Sequence, residues 1–364
     1  MSKIEELLKN EKVEWKKLGD ICEFKRGQTI TKKDITNGDV PVIAGGQKPA
    51  YYHNVSNRNG ISIAVSGSGA YAGFVSYWEQ PIFLSDAFSV EPDNSLNKRY
   101  LYHWLLSIQN KIYELKQGSG IPHVYGNDLG RFEIPVPSIA VQEKIVEVLD
   151  KFTNYVTELQ AELQARTKQY EYYRDMLLSE DYLNNITSDF MNQGDKRKMA
   201  YCRIKDVCNR QKGINITAKK MKELNNQDAK VKIFAGGNTT AQVDINVVGE
   251  SNVIEIPSVI VKSRGNIDFE YYDGPFSHKN EMWSYSTKNV NILNIKFLFY
   301  LLKSNLKFFR DNSISGKLPQ ISTGVTDNYK IPMVPIEIQT QIVETLDNFQ
   351  SLLADTKGLL PKEF

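Results

Sequence analysis

Apolar residues recur along the middle of the chain with the spacing of a long helix. The steps between them alternate between four and three residues from Ile145 to Leu177, and only Arg166 interrupts the series. A heptad pattern kept over about five heptads is typical of a coiled coil, and at about 1.5 Å per residue a helix over residues 139–180 would be roughly 60 Å long. The positions are Ile145, Leu149, Phe152, Val156, Leu159, Leu163, Tyr170, Tyr173 and Leu177.

Short β-branched runs bounded by turn residues predict strands on both sides of this helix. Apolar positions with helical spacing predict one further helix in each half. Each half is therefore predicted to be an α+β domain of about 130 residues, followed by a helix. The predicted strands are residues 61–65, 74–78, 259–261 and 269–272, and the predicted helices are 98–115 and 295–309.

The two halves repeat the same frame. Residues 18–22, 25–31 and 41–47 are echoed at 204–208, 211–217 and 231–238. The clearest match is later, where residues 134–152 align without a gap onto 331–349, with ten identities in nineteen positions. The segments between these anchors, roughly 51–117 and 240–310, are unlike each other. One scaffold that carries two different recognition surfaces is the simplest physical meaning.

This pattern predicts a domain plan. The second copy begins the same apolar series, with Ile342, Leu346, Phe349 and Leu353, before Gly358 and Pro361 interrupt it. We therefore expect a shortened second helix that lacks the counterpart of residues 168–178. The plan is a first domain at 1–137, a central helix at 138–184, a polar linker at 185–199, a second domain at 200–335 and a shortened C-terminal helix at 336–364.

Charge is unevenly distributed, although the net charge is only +2. Residues 200–330 contain 19 Lys and Arg against 12 Asp and Glu, residues 1–135 contain 16 against 15, and residues 136–184 contain 5 against 9. A basic body favours a polyanionic partner. A long amphipathic helix lying on one domain would show the same apolar stripe, but the length, acidity and regular spacing of the central segment favour a free-standing rod.

Composition and motifs exclude several classes of function. No apolar run approaches about 18 residues, so no membrane span is expected. Three scattered cysteines (Cys22, Cys202 and Cys208) indicate a reducing cytoplasm rather than a disulfide framework. The sequence has no phosphate-binding loop, no Asp/Asn-Pro-Pro-aromatic tetrapeptide of amino-methyltransferases, and no histidine at metal-ligand spacing with the cysteines. The glycine-rich residues 67–73 are interpreted as a tight turn.

The arrangement resembles the type I restriction-modification specificity subunit family, usually called HsdS, over essentially the whole chain. The most specific residues are two closing motifs, one in each half, together with residues 168–174 at the end of the central helix. The first motif comprises residues 120–123, 134–137, 142–146 and 149–150, and the second comprises 316–320, 331–332, 335, 339, 342–343 and 346–347. Two copies of one motif, each closing a domain and beginning a helix, are more specific than one.

The resemblance implies a DNA-recognition subunit without catalysis, metal or cofactor of its own. Each target-recognition domain would read one half of a bipartite, asymmetric site in double-stranded DNA. The long helices would pair as an antiparallel coiled coil with pseudo-twofold symmetry, fix the spacing between half-sites and dock two modification subunits. Those partners bind S-adenosylmethionine and methylate adenine, and restriction subunits that use ATP and Mg²⁺ can join them. Family members with a full second helix would continue beyond Phe364.

DNA contacts are expected from loops rich in basic, amide, hydroxyl and tyrosine side chains. Phosphate contacts position such a protein, and base-edge contacts specify the sequence. Arg264 is the strongest single candidate, because its guanidinium follows a predicted strand on a glycine turn and can form two parallel hydrogen bonds. The candidates in the first half are Lys25, Arg26, Gln28, Thr31, Lys32, Lys33, Gln47, Lys48, Tyr51, Tyr52, Ser66 and Ser68. Those in the second half are Lys212, Asn215, Thr217, Lys219, Lys220, Asn238, Thr239, Thr240, Lys262, Arg264, Asn266, His278 and Lys279.

Some recurring residues are assigned to the frame, and two remain open. The pairs at 45–46 and 236–237 are glycines in both halves, which suggests a role in backbone geometry. Pro135 and Pro137 are interpreted as rigid ends of the last strand. Gln142 and Gln339 begin the two helices and could either cap them or contact a partner.

Two other classes of function compete with DNA recognition. A stand-alone nucleic-acid enzyme, such as a fused methyltransferase, would need a cofactor motif, which the sequence lacks. A coiled-coil adaptor without DNA affinity would not need the basic, polar loops at residues 25–33 and 262–266.

Overall fold

The computed structural model describes residues 3–9, 11–31, 33–34, 36–118, 120–190, 199–314, 316 and 318–360. The chain divides into two compact units, Met1–Thr157 (unit 1) and Glu158–Phe364 (unit 2). The division falls inside the long central helix, so each unit includes part of that helix. None of the helices in the described ranges has the length and apolar character that a membrane span requires.

Unit 1 contains three groups of paired strands among its described residues. A four-stranded antiparallel sheet has the order β2-β8-β5-β6, a three-stranded sheet has the order β4-β3-β7 with β3 and β7 parallel, and β1 pairs with β9. The elements are α1 (Lys3–Leu8), β1 (Glu14–Lys17), α2 (Leu18–Ile21), β2 (Cys22–Arg26), β3 (Val40–Ile43), β4 (Tyr51–His53), β5 (Ser62–Ser66), β6 (Val75–Trp78), β7 (Phe83–Leu84), β8 (Ala87–Pro92), α3 (Lys98–Ser107), α4 (Gln109–Glu114), α5 (Gly126–Leu129), β9 (Glu133–Val136) and the start of α6 (Ile139–Leu177).

Unit 2 repeats this topology. Its described strands form the four-stranded order β11-β17-β14-β15, the three-stranded order β13-β12-β16 with β12 and β16 parallel, and the pair β10-β18. After the end of α6, the elements are α7 (Glu180–Phe190), β10 (Ala200–Arg203), α8 (Ile204–Val207), β11 (Cys208–Lys212), α9 (Ala218–Glu223), β12 (Val231–Phe234), β13 (Thr240–Val243), α10 (Ile245–Val248), a 3-10 helix (Glu250–Asn252), β14 (Ser258–Lys262), β15 (Asp268–Tyr272), β16 (Phe276–His278), β17 (Trp283–Thr287), α11 (Ile295–Ser304), α12 (Leu306–Asp311), α13 (Thr323–Asp327), β18 (Lys330–Met333) and α14 (Ile336–Gly358).

The predicted α+β duplication is confirmed, and it extends further than the sequence anchors indicated. The interiors that seemed unlike each other hold the same strands in the same order. The closing motif of the second half lies 197 residues after that of the first. The same offset holds upstream of the motif, since Asn97 and Leu101 recur as Asn294 and Leu298. The sequence comparison missed this because buried strands need apolar character rather than particular side chains.

The predicted linker at residues 185–199 is partly wrong. Residues up to Phe190 belong to α7, which follows α6 after a break at Leu178 and Ser179. Leu183 is fully buried in the core of unit 2, and Ile186 packs against that core. Leu183 and Ile186 lie on one apolar face of α7, and burial of that face against the core holds the helix. The remainder of the predicted linker, residues 191–198, lies outside the described residues.

Within unit 2, the end of α6 packs antiparallel against α14. The Tyr173 and Phe349 rings stack with centroids 5.4 Å apart, and Gln350 Nε2 donates to the Tyr170 hydroxyl at 3.0 Å. Farther along α6, Leu177 lines one cleft with Ile342 of α14. Contacts advance along one helix while they recede along the other, which confirms the predicted antiparallel pairing for these segments.

The apolar series on the helices is buried unevenly. Leu159, Ile342 and Leu346 are buried in unit 2, where Leu163 is half-buried. In unit 1, Ile145 is buried and Leu149 packs against the core, Val156 is half-buried, but Phe152 is 56% exposed. Phe152 therefore departs from the predicted buried seam, because the core residues of unit 1 in the described ranges reach the helix at Leu149 and no farther along it.

A buried glutamine holds the start of each long helix to two other parts of its unit. In unit 1, Gln142 Nε2 donates to the carbonyls of Ser95 and Pro137, both at 2.9 Å, and its Oε1 accepts from the Asn97 amide at 2.8 Å. The Asn97 side chain in turn accepts from the first amides of α3. Gln142 is fully buried.

Unit 2 contains the same hydrogen bonds. Gln339 Nε2 donates to the carbonyls of Ile292 at 2.9 Å and Val334 at 2.8 Å, and its Oε1 accepts from the Asn294 amide at 2.9 Å. Gln339 is also fully buried. The structure therefore decides the open question: both glutamines join backbone segments inside their own unit and are not presented to a partner.

An aspartate that recurs in both units joins α6 to α3 in unit 1 and α14 to α11 in unit 2. Asp150 Oδ1 accepts from Arg99 Nε at 2.9 Å and lies 2.7 Å from His103 Nε2. Burial raises the pKa of Asp150, but the hydrogen bonds from His103 and Arg99 outweigh it and leave that pKa below its ordinary value. In unit 2, Asp347 accepts from Lys296 Nζ at 2.7 Å and from the Tyr300 hydroxyl.

Replacing Gln339 with Leu should destabilise the chain by about 3 kcal/mol or more. The change would remove the partner of the buried Val334 carbonyl and of the partly buried Asn294 amide and Ile292 carbonyl, and a polar group left without a partner costs about 1–3 kcal/mol when it is buried. Urea unfolding of the purified chain measures the loss. The matched control is Gln341→Leu, since Gln341 is exposed on the same helix and its change should stay within about 0.5 kcal/mol. Equal unfolding midpoints for Gln339→Leu and the unchanged chain would contradict the proposed role.

Candidate nucleic-acid interface

One end of the four-stranded sheet of unit 1 gathers loops that are distant in sequence. The loop after β2 approaches the β7–β8 turn so closely that a Cβ on Gly27 would lie 2.3 Å from the Leu84 carbonyl oxygen. The Gln28 amide donates to that same oxygen at 2.8 Å. The loop after β5 is tied to the turn before β8 and to the loop before α5, through Gly67 N to Asp86 O and Gly69 N to Pro122 O, both 2.9 Å.

These loops enclose an open cleft of about 810 Å³ at the sheet end. Its lining combines hydrogen-bond donors and acceptors with aromatic rings. Proteins bind base edges and phosphates through this combination of groups. The His123 and Tyr125 rings lie nearly parallel, with centroids 6.0 Å apart. The polar and aromatic side chains that line the cleft are Phe24, Arg26, Thr29, Ser85, Asp86, Phe88, His123, Tyr125 and Asn127.

Arg58 fixes the backbone at the end of β2. Its NH2 donates to the carbonyls of Lys25 at 2.9 Å and Arg26 at 3.0 Å, and its Nε donates to the Ser89 hydroxyl at 2.8 Å. The arginine therefore positions the two cationic residues that the sequence proposed as DNA contacts. Sequence reasoning missed this role, because nothing in the local pattern distinguishes Arg58 from a surface arginine.

Most of the predicted DNA contacts of unit 1 are exposed at loops or strand ends. Tyr51 is half-buried, and its hydroxyl donates to the Ile30 carbonyl at 3.5 Å. Lys32 lies outside the described residues. The exposed candidates are Lys25, Arg26, Gln28, Thr31, Lys33, Gln47, Lys48 and Tyr52.

Two serines of unit 1 are corrected from direct contacts to supporting residues. Ser66 is 2% exposed, and its hydroxyl lies within hydrogen-bonding distance of the carbonyls of Ala44 at 3.1 Å and Gly46 at 3.2 Å. Ser68 is 9% exposed and donates its hydroxyl proton to Asp86 Oδ2. Both hydroxyls are committed to the protein, so neither is free to contact a base.

The equivalent sheet end of unit 2 is built by the same backbone contacts. A Cβ on Gly213 would lie 2.3 Å from the Lys279 carbonyl oxygen, and the Ile214 amide donates to the His278 carbonyl at 2.7 Å. The Gly265 amide donates to the Pro319 carbonyl at 2.8 Å. Arg264, immediately before that glycine, is exposed and forms a backbone bridge with Gln320.

Ion pairs change the interpretation of two lysines in unit 2. Lys262 is 9% exposed, and its Nζ lies 2.7 Å from Glu270 Oε2, so it is corrected to a buried structural cation. Lys279 is half-buried and pairs with Glu281 at 2.7 Å. Burial raises the pKa of Glu281, but the hydrogen bond and charge of Lys279, with the Arg264 charge, outweigh it and leave the pKa lowered. Part of the cationic character of this sheet end is therefore neutralised internally.

His278 is also corrected. Its ring is fully buried at the end of β16, and its Nε2 lies 3.1 Å from the Ser284 hydroxyl. Burial lowers the pKa of His278 to about 4, so the ring is neutral at physiological pH. A buried neutral imidazole offers neither a charge to phosphate nor an edge to a base.

The other candidates of unit 2 lie at the surface. Thr217 caps α9 through a hydrogen bond from the Lys220 amide at 3.2 Å, which is a structural role. Asn238 lies beside Lys262, with 3.5 Å between Oδ1 and Nζ. The exposed candidates are Lys212, Asn215, Lys219, Lys220, Asn238, Thr239, Thr240, Arg264 and Asn266.

The structure adds cleft residues that sequence reasoning did not select. Asp86, Tyr125 and Asn127 come from two separate segments and meet only in the folded unit. One sequence signal pointed to this region, since the closing motifs contain Pro122 and Pro319. In the structure, each proline carbonyl accepts a hydrogen bond from the glycine that follows a candidate DNA-contact residue. That recurrence identified the frame, but the side chains around it could be placed only by the fold.

The family described as Type I restriction modification DNA specificity domain matches this chain twice, at residues 10–169 and 196–362. A putative type I specificity subunit of Mycoplasma pneumoniae is 25% identical over 361 residues, covering 95% of this chain and 92% of that protein. The EcoR124I/EcoR124II type I restriction enzyme specificity subunit of Escherichia coli is 22% identical over 401 residues, covering 100% of this chain and 93% of its own length.

A solved structure supports the same fold. The S subunit of a type I restriction-modification system from M. genitalium superposes with a TM-score of 0.65 at 20% identity and covers 98% of both chains. The two matched segments together span most of the sequence and coincide with the two copies of the frame. The chain therefore belongs to the type I restriction-modification DNA specificity family, and it carries two copies of the specificity domain.

Proposed function

We propose that this chain is the DNA sequence-specificity subunit of a type I restriction-modification system, and that each unit reads one half of a bipartite, asymmetric site in duplex DNA. The observation that supports this most directly is the duplicated sheet end. The backbone frame is the same in both units, whereas the exposed side chains on it differ. One frame with two sets of side chains suits a site whose halves have different sequences.

The chain itself is proposed to be non-catalytic. Methylation belongs to two modification subunits that bind S-adenosylmethionine, and restriction subunits that use ATP and Mg²⁺ can join them in the cytoplasm. The absence of a phosphate loop and of an amino-methyltransferase tetrapeptide from the sequence supports this division of labour. Methyl transfer by the purified chain alone would overturn it.

The long helix is proposed to set the distance between half-sites and to contribute to docking of the modification subunits. α6 is one helix of 39 residues, or about 58 Å at a rise of about 1.5 Å per residue. A helix is stiff enough to act as a spacer because each turn is fixed by backbone hydrogen bonds. The exposed Phe152 is a candidate for the docking surface, since its ring is left uncovered by this chain.

DNA affinity separates this proposal from a structural adaptor. The complex assembled with modification subunits should bind a duplex that contains its site, and the affinity should fall as salt rises, because phosphate contacts release counterions. Absence of salt-sensitive duplex binding by the assembled complex would favour a coiled-coil adaptor instead.

Replacing Arg264 with Ala should relax or abolish recognition of one half-site while the other half-site remains readable. A bidentate contact to guanine provides about 1–3 kcal/mol of discrimination, or roughly 5- to 150-fold. Methylome sequencing of a host that carries the chain with its modification subunit measures the motif. The matched control is Arg203→Ala. Arg203 lies on β10, which pairs with β18 outside the four-stranded sheet, and its Nε is 2.9 Å from Asp206 Oδ2. An unchanged motif in the Arg264→Ala host would refute the assignment.

Inserting one heptad after Leu159 should lengthen the gap between half-sites by about three base pairs. Seven helical residues add about 10.5 Å, and duplex DNA rises about 3.4 Å per base pair. The methylome motif reports the gap directly. Gln160→Ala, an exposed change at the same point of the helix, should leave the gap unchanged. A methylated motif with its original gap after the insertion would defeat the spacer hypothesis.

A further inference from the structure

Duplication makes it possible to compare single positions in the two recognition surfaces. Gly69 and Gly265 both adopt positive φ, at 84° and 76°, and each donates its amide to the carbonyl of the proline in the closing motif. The residues immediately before them, Ser68 and Arg264, form equivalent backbone bridges, with His123 and Gln320. Ser68 and Arg264 therefore occupy the same position on the frame.

The chemistry at this shared position is opposite in the two units. In unit 2 the position presents the exposed guanidinium of Arg264, which only donates hydrogen bonds. In unit 1 the position presents Ser68, whose hydroxyl is bound to Asp86 Oδ2. Asp86 is exposed and lines the cleft, and an ionised carboxylate only accepts hydrogen bonds. The counterpart of Asp86 in unit 2, by strand register, is Glu281, and that carboxylate is paired with Lys279 at 2.7 Å. Near the shared position, unit 1 thus exposes an acceptor carboxylate, whereas unit 2 exposes a donor guanidinium.

A carboxylate in a DNA-facing cleft is unsuited to phosphate, because like charges repel. Its favourable partner on duplex DNA is an exocyclic amino group, which adenine and cytosine present in the major groove. Ser68 engages one carboxylate oxygen and restricts the rotation of the side chain, while the other oxygen can still accept. Arg26 lines the same cleft and is a candidate for phosphate.

We propose that Asp86, positioned by Ser68, reads the amino group of an adenine or cytosine in the half-site bound by unit 1, at the place where Arg264 reads guanine in the half-site bound by unit 2. The inference rests on the proposed function and deepens it, because it assigns a class of base to each unit. Asp86 is the residue that touches the base, and Ser68 is a positioning residue.

The test is a double-mutant cycle that combines one protein substitution with the deletion of one exocyclic amino group from the DNA. Methylome sequencing of hosts with the unchanged chain and with Arg264→Ala first defines the two half-sites and assigns one to unit 2. Duplexes are then made in which each adenine or cytosine of the other half-site is replaced, one at a time, by purine or 2-pyrimidinone, which lack the amino group. Affinities of the complex assembled with modification subunits are measured for the unchanged chain and for Asp86→Ala.

One amino-group deletion should weaken binding by the unchanged complex at least tenfold, and the same deletion should weaken the Asp86→Ala complex less than threefold. The matched control is Glu79→Ala, which removes an exposed carboxylate after the opposite end of β6 and should keep the full tenfold sensitivity. Ser68→Ala should reduce the sensitivity while affinity for a duplex without the site stays unchanged.

Several results would overturn the inference while leaving the proposed function intact. One is equal sensitivity of the unchanged and Asp86→Ala complexes to every amino-group deletion. Another is an unchanged complex that is insensitive to all of them. A third is loss by Asp86→Ala of affinity for duplexes with and without the site, since that identifies a general rather than a base-specific role. A methylome without a bipartite motif would instead refute the proposed function.

Discussion

The fold of each unit depends on a buried glutamine amide that satisfies three backbone groups at once. Gln142 and Gln339 each donate to two carbonyls and accept from the amide of the asparagine that caps α3 or α11. Because a buried polar group without a partner is costly, these hydrogen bonds set where the long helix begins relative to the last strand and to α3 or α11. The start of each long helix is thereby joined to the domain that precedes it.

This constraint separates the parts of the molecule that must be the same from those that can differ. The ties at Asp150 and Asp347 add to the glutamine contacts at the helix end of each unit. At the sheet end, backbone hydrogen bonds around Gly69 and Gly265 hold the loops in both units, so the side chains on those loops can differ between the units without a change of frame. A protein that reads two different DNA half-sites on one scaffold needs this division, because specificity has to change without altering the frame.

The two sheet ends differ in how their charged side chains are paired. In unit 2, Lys262 and Lys279 are paired with carboxylates, so the exposed Arg264 stands out among the cations of that sheet end. In unit 1, the hydroxyl of Ser68 engages Asp86 within a cleft that also contains Arg26. Paired cations hold loops in place and contribute little to long-range attraction, whereas unpaired groups remain available to a ligand.

The sequence by itself determined the duplication, the α+β character of each half and the long helix, because periodicity and repeated motifs are properties of chain order. The antiparallel pairing of the segments that close unit 2 was implied by the family resemblance. Only the tertiary structure decided that Gln142 is a buried clamp, that residues 185–190 are helical, that His278 and Lys262 are internal, and that Asp86 meets Ser68. Burial and side-chain pairing depend on segments distant in sequence, and a local pattern cannot tell a paired or buried polar residue from a free one.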